Sequence, residues 1–520
     1  MFRPRQARQR PAGGDLSGWT YAVPGVVSWF VMLASLVGVF FFPDAWTWVA
    51  TIFVGYLLCY SSTYFIFALV GEYKRRRADK VDWTADEDVV GPFGFAPSDL
   101  RHAVIVPNYK EPDAVLERTV AAIAAQHRAS ERVVLVLGME EREQGARDKA
   151  EAIAERYRDA FLRVVVSIHP ANIPGELACK ASNQTYASIE ARRLMVDELG
   201  IPLEHITVST CDADSVFHPR YFAALSRMYA TDARRHSRIW QAPLFYYNNI
   251  WTVPAPIRYT AWFIHAGQMA ELAMPFYDGL PISTYTLSMR LAEETQYWDP
   301  AVISEDWHVY LGVMFARDGD VSVQPIFLPT YSDATDGPTP WQALVNRYLQ
   351  VLRHSWGAED VGFLLETMIG EKRWPRAITA FRSMQVLHDH VMRVAAWFIV
   401  MSGYLLDVGM VRTAMARTIY EAVTTTTEPL HIVLRWFLIA GITVITTSVL
   451  IEIVRNPAPK SWPIGRLALE VILMWLSMPF IGFFLGVAPA VHAQTKLMFR
   501  LPLAWRVTPK HLAERLGDAA

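Results

Sequence analysis

The sequence predicts an α/β domain with a mostly parallel sheet, combined with an α-helical transmembrane region. Two observations carry this. In the middle of the chain, apolar β-branched runs alternate with amphipathic helical patterns, the signature of a sheet covered on both faces. On either side lie apolar segments of about 20 residues or more, enough for a helix to cross a bilayer.

The chain has 520 residues, room for two or three domains. Its formal net charge is -2, which gives no support for a nucleic-acid partner. The three cysteines, Cys59, Cys179 and Cys211, show no metal-ligand spacing and no disulfide framework. A reducing compartment for the soluble part fits this.

Apolar segments run from Tyr21 to Phe42 and from Ala45 to Val70, with a short break that suits a hairpin. The first lacks the small-residue cleavage site of a signal peptide. Further apolar segments run from Val391 to Met410, His431 to Val454 and Leu467 to Met498. Basic residues precede the first span, and Lys74 to Arg77 follow the second, so both flanks are expected to be cytoplasmic. Four regions are expected: a cytoplasmic tail and transmembrane hairpin (1–70), a cytoplasmic soluble domain (71–376), interfacial and transmembrane helices (377–499), and a cytoplasmic tail (500–520). A multi-pass protein of the plasma membrane is expected. The last apolar segment is long for one span, and Pro479 and Pro489 interrupt it. It is expected to fold back, as a hairpin or broken helix, and return the tail inside. His388 and His390 are expected to be interfacial histidines.

Within the middle region, "HAVIVP", "RVVLVLG", "RVVVSI" and "HITVST" read as strands. Helical patterns separate them. Ligands bind such sheets beyond the carboxyl ends of the strands. Acids gather there: Glu111 after the first strand, Glu140 after the second, Asp212 and Asp214 after the fourth. Clustered carboxylates repel one another unless a cation sits among them. Hard oxygen ligands suit Mg²⁺ or Mn²⁺, and magnesium takes one or two carboxylates and shares phosphate oxygens. Alone, an Asp-x-Asp pair could equally cap the helical pattern "HPRYFAALSRM" that follows it.

Its company resembles the processive family-2 membrane glycosyltransferases, the group of cellulose and hyaluronan synthases. "VIVPNYKEP" is similar to their nucleotide-binding first strand, and "LACKASNQ" to their lysine-alanine-asparagine element. "CDADS" resembles their Asp-x-Asp, "VISEDWHVYLGVMFARDG" their acid-Asp motif, "QVLRHSWG" their Gln-x-x-Arg-Trp, and "WRVTPK" their gating loop. The resemblance implies a GT-A-like domain that moves a sugar, with inversion, from a nucleotide-diphosphate sugar to a growing polysaccharide. The polymer would leave through the protein's own membrane helices. It implies Asp306 as the general base, and Asp212 and Asp214 as ligands of Mg²⁺ or Mn²⁺. Pro107, Tyr109, Glu111, Glu140, Lys180 and Arg353 would bind the nucleotide. Glu305, Gln350, His354 and Trp356 would contact the acceptor. Trp505, Val507, Thr508 and Lys510 would form the gating loop.

Two departures stand out. His354 occupies the position of the motif's tryptophan, and Trp356 follows two residues later, roughly 200° round a helix. Gly138 occupies the expected place of the second-strand acid, which leaves the register of Glu140 open. The alternatives are a single transfer to a lipid or polyprenyl-phosphate acceptor, and a transporter with a non-catalytic sheet domain.

Overall fold

The computed structural model describes residues 18–275, 279–370, 376–408 and 428–501. Two apolar helices come first, α1 (Val23–Phe41) and α2 (Pro43–Ala78). Only Phe42 separates them, and Pro43 opens the second, where a missing N–H costs nothing. Helix α2 continues past residue 70 to Ala78, because "GEYKRRR" contains no strong breaker.

The α/β domain follows. Strand β1 (Arg101–Pro107) leads to α3 (Asp113–Ala124), β2 (Val133–Glu140) to α4 (Ala146–Arg156), and β3 (Arg163–His169) to α5 (Lys180–Arg192). Then come β4 (Ile206–Thr210), β5 (Val216–Phe217), α6 (Tyr221–Thr231), β6 (Arg238–Gln241), β7 (Leu244–Phe245) and α7 (Ala255–Ala273). β8 (Tyr285–Ser288), α8 (Glu305–Ala316), β9 (Ser322–Pro325) and β10 (Thr330–Tyr331) complete it. The main sheet has the order β3-β2-β1-β4-β8-β6-β9. β3, β2, β1 and β4 run parallel, and β8 is antiparallel to both its neighbours. A small second sheet, β5-β10-β7, lies beside it.

Successive side chains of a strand point to opposite faces. Ile105, Val134 and Val136 join α5 and α8 in one apolar cluster, while Val104, Val106, Leu135 and Leu137 join α3 and α6 in another. Both faces of the central strands are therefore buried, which is why their sequences are apolar without alternation.

The remaining helices are α9 (Pro340–Ser355), α10 (Glu359–Gly370), α11 (Arg376–Val408), α12 (Glu428–Arg455), α13 (Ile464–Gly482) and α14 (Ala488–Met498). Among the described residues, four helices are long and apolar enough to cross a membrane: Trp19–Phe41, Pro43–Ala78, Leu430–Arg455 and Ile464–Met498. Their exposed faces carry large apolar residues, among them Phe30, Ile52, Trp436 and Leu476. The predicted span from Val391 to Met410 falls on α11, as far as that helix is described. The predicted fold-back is corrected. From Ile464 to Met498 the chain is helical throughout, with a π-helical turn at Phe483–Val487 joining α13 to α14. Pro479 is accommodated inside α13, where its carbonyl accepts from Trp397 Nε1 at 2.8 Å. Pro489 sits in the first turn of α14, where proline is tolerated.

Candidate active site

A cavity of about 420 Å³ opens at the carboxyl ends of β1 and β4. Eight carboxylates line it: Glu111, Asp212, Asp214, Glu271, Glu305, Asp306, Asp333 and Asp389. Among the described residues, Lys180 and Arg393 are its lining cations. Gln350, His354, His390 and Tyr246 complete the polar wall. The topology explains the gathering. Parallel strands deliver their following loops to one edge, and antiparallel β8 brings the loop before it to the same edge.

Lys180, the first residue of α5, stands among the acids. Its Nζ is 2.8 Å from Asp212, 2.9 Å from Glu305 and 3.9 Å from Asp306. Burial alone would lower its pKa, but Asp212, Glu305 and Asp306 outweigh burial and raise it well above the usual value. It is a fixed cation.

Asp306 lies in the first turn of α8. Its Oδ2 accepts the Ser283 backbone N–H at 2.8 Å, while its buried Oδ1 accepts no hydrogen bond among the described residues. Burial, with Glu305 and Asp212 nearby, pushes its pKa up to about 7 against the opposing pull of Lys180. A base poised near neutrality suits proton transfer. Ser283 also donates through Oγ to Asp212 at 2.7 Å, so one residue holds two of the acids. It does so at φ +58°, a left-handed conformation uncommon for a serine. Gln241 braces the turn, donating to the Ile282 and Thr284 carbonyls and accepting from the Ile282 N–H.

Asp214 is buried and accepts the Asp333 N–H at 2.8 Å; the Asp333 carboxylate is held by Arg118 at 2.7 Å. Gln350 accepts from Thr335 and Arg347, each at 2.5 Å. His354 lines the cavity and is exposed there. Desolvation within the cavity and the guanidiniums of Arg353, Arg347 and Arg393 depress its pKa well below the usual value.

Other expected residues lie elsewhere. Trp356, two residues on, is corrected: it packs with Ile303, Leu352, Ala493 and Leu497 and donates to Glu359 at 2.9 Å, away from the cavity. Glu305, by contrast, does line the cavity, where it is buried and paired with Lys180. Arg353 is on the same helix as His354 but is not part of the lining. Pro107 ends β1 opposite Gly138. Tyr109 lies under the Arg142 guanidinium at 4.3 Å, and Arg142 reaches Glu140 at 3.1 Å. Glu140 ends β2, outside the cavity lining and also bonded by Asn183. Gly138 leaves no room for an acid, since a Cβ there would sit 2.3 Å from Asn183 Oδ1. His390 is buried and lines the cavity rather than lying at an interface; His388 pairs with the Tyr56 hydroxyl at 2.6 Å. Trp505, Val507, Thr508 and Lys510 lie outside the described residues. Ser283, Asp333, Arg347 and Tyr246 were not expected. They are isolated polar or aromatic residues with no motif around them.

The residues present fit a hard divalent cation. Two carboxylates separated by one residue, Asp212 and Asp214, line the same cavity, and Asp212 is paired with the Lys180 ammonium. Among the described residues no group of three or more His, Cys, Asp or Glu side chains is arranged to hold an ion. Substrate oxygens would have to complete the shell, as is usual for magnesium.

Residues 100–323, from the start of β1 into β9, match the family described as glycosyltransferase like family 2. No curated protein matches the sequence. Among solved structures, the chain is similar to a mannosyltransferase from Pyrobaculum calidifontis in complex with GDP-Man and Mn²⁺. That likeness has 15% identity and TM-score 0.38, covering 76% of this chain and 97% of that one. It is also similar to S. aureus TarS, with 13% identity and TM-score 0.29, covering 76% of this chain and 55% of that one. The chain is thus a glycosyltransferase with a GT-A-like α/β domain and four apolar helices of membrane-spanning length.

Proposed function

We propose that this glycosyltransferase moves a sugar, with inversion, from a nucleotide-diphosphate donor to an acceptor hydroxyl, and that Asp306 is its general base. The observation that carries this is the single cavity holding Asp212, Asp214, Lys180 and Asp306 together. Inverting transfer is one displacement. The acceptor oxygen bonds to the anomeric carbon as the bond to the diphosphate breaks, and the acceptor proton goes to the base. Asp306 Oδ1 has the free acceptor capacity for that proton, and the Ser283 N–H steadies the other oxygen.

Asp212 and Asp214 would hold Mg²⁺ or Mn²⁺, which when bound supplies positive charge to the leaving diphosphate. Lys180 holds Asp212 in place, with Glu305 as its second anchor. For the nucleotide we propose the β1 end, Pro107, Tyr109 and Glu111, with Glu140 acting through Arg142. For the acceptor we propose Gln350 and His354.

The acceptor is a growing polysaccharide in this reading, leaving through the membrane helices. The supporting feature is that the cavity continues to Gln268 and Glu271 of α7 and to Asp389 and Arg393 of α11. Basic residues flanking the first two spans support a cytoplasmic catalytic face on the plasma membrane. Release of nucleotide diphosphate is measured across a panel of sugar nucleotides, and product length is read on a gel. A ladder supports the polymerase. A single glycolipid band replaces it with transfer to a lipid-linked acceptor, and no release from any donor overturns the transferase reading.

A further inference from the structure

Tyr246 lies at the end of β7, on the cavity wall. It lines the cavity together with Asp212, Asp214 and Asp306. One face of the ring lies on the imidazole of His265, with centroids 5.7 Å apart and planes 26° apart.

His265 does more than stack. It is fully buried on α7, and its Nε2 accepts the Tyr246 backbone N–H at 2.8 Å. A backbone N–H can only donate, so Nε2 must be unprotonated. The ring proton is therefore on Nδ1, which faces Glu452 of α12 at 3.1 Å. Glu452 also accepts the Tyr247 hydroxyl at 2.7 Å and is paired with Arg455. A carboxylate on an apolar helix is costly and is retained where it has a task. Here it holds the tautomer of a histidine that in turn fixes a cavity residue.

We propose that Tyr246 is the aromatic platform on which the acceptor's terminal sugar rests during transfer, and that His265 and Glu452 are positioning residues that set it from the apolar helix α12. This rests on the transfer reading above. A sugar's C–H face packs on an aromatic ring, and such packing orients the attacking hydroxyl without touching the donor diphosphate. Gln350, proposed above for the acceptor, lines the same cavity as Tyr246.

The test uses the full chain in detergent or membranes with its best donor and a short oligosaccharide acceptor. Tyr246→Ala is expected to raise the acceptor KM about tenfold, with donor KM within twofold, and to shift turnover from transfer towards donor hydrolysis. Tyr246→Phe keeps the ring and is expected to stay within about threefold of the wild type. His265→Ala is expected to raise the same acceptor KM, and the double variant to add little, since both act through one ring. If His265→Ala lowers only the melting temperature, it is structural and the positioning claim fails. If Tyr246→Ala leaves acceptor KM unchanged while Asp306→Asn is inactive, the platform alone is wrong. If Asp306→Asn retains turnover, the transfer reading itself is wrong.

Discussion

Two charged clusters in this molecule are built from the same residue types and are balanced differently. At the base of the helical region, Glu72 of α2 and Glu452 of α12 face Arg75, Arg76 and Arg455. Arg455 reaches both carboxylates, and His265 and Tyr247 bond Glu452 as well. Each acid there has a counter-charge. In the cavity, one amine serves Asp212, Glu305 and Asp306. The shortfall surfaces as the raised pKa of Asp306, and as Glu271, which burial and Asp389 push up to about 8. The balanced cluster ties helices to the sheet domain. The unbalanced one has room for a cation and a base. Carboxylates crowded into one cleft, with pKa values pushed up by one another, mark a candidate site.

The contrast is broken most sharply at Asp306. Asp306→Asn is expected to lower turnover by roughly 10²–10⁴-fold, the usual share of a general base, with donor KM nearly unchanged. Its melting temperature should hold or rise, since a crowded carboxylate is removed. A fall in both turnover and melting temperature would make Asp306 structural.

Removing the divalent ion comes next. A chelator is expected to abolish donor binding and turnover together, because diphosphate and carboxylates repel. Asp214→Asn should lower both by about tenfold or more in isothermal titration and release assays. Activity that survives chelation would end the metal assignment.

The pH profile sharpens the comparison. With Asp306 raised to about 7, turnover should rise as the pH increases through 7 and fall about tenfold per unit below it. Stability runs the other way. Between the ordinary aspartate value and about 7, the folded state keeps a proton that the unfolded chain has released. That contribution is present at low pH and is lost as the pH rises through 7. Thermal melts of the wild type and Asp306→Asn should therefore diverge progressively between about pH 4 and 7 and keep a constant offset above 7, and melts that stay parallel across that window would remove the raised pKa.

The smallest kinetic effect belongs to the balanced cluster. Arg455→Gln takes the arginine from buried Glu452, while Glu72 keeps Arg75 and Arg76, and is expected to cost ~3 kcal/mol of stability, as for other broken buried pairs. Its KM for donor should stay within twofold. A large change in donor KM with an unchanged melt would mean that this cluster belongs to the site.

Much of the sheet was legible in the sequence. Strands β1 to β4 are apolar runs because both faces are buried, and that pattern is local. Asp212, Asp214 and Asp306 were legible too, since each sits in a short motif at an element end. Periodicity also put His354 and Trp356 on different faces of a helix. It could not say which face met the cavity. Tertiary packing decided this, by giving Trp356 an apolar cluster beside Ala493 and Leu497 of α14. The two prolines before Met498 suggested a reversal, yet the run stays helical. Trp397, 82 positions before Pro479, donates to its carbonyl. Ser283, Asp333 and Tyr246 were illegible for the same reason. Ser283 is 71 positions from Asp212, and Asp333 is 119 from Asp214. Local sequence sets which segments become strands and helices, because propensity and periodicity act over neighbouring residues. The partners that hold a carboxylate or stack on a ring come from loops that only the sheet order brings together.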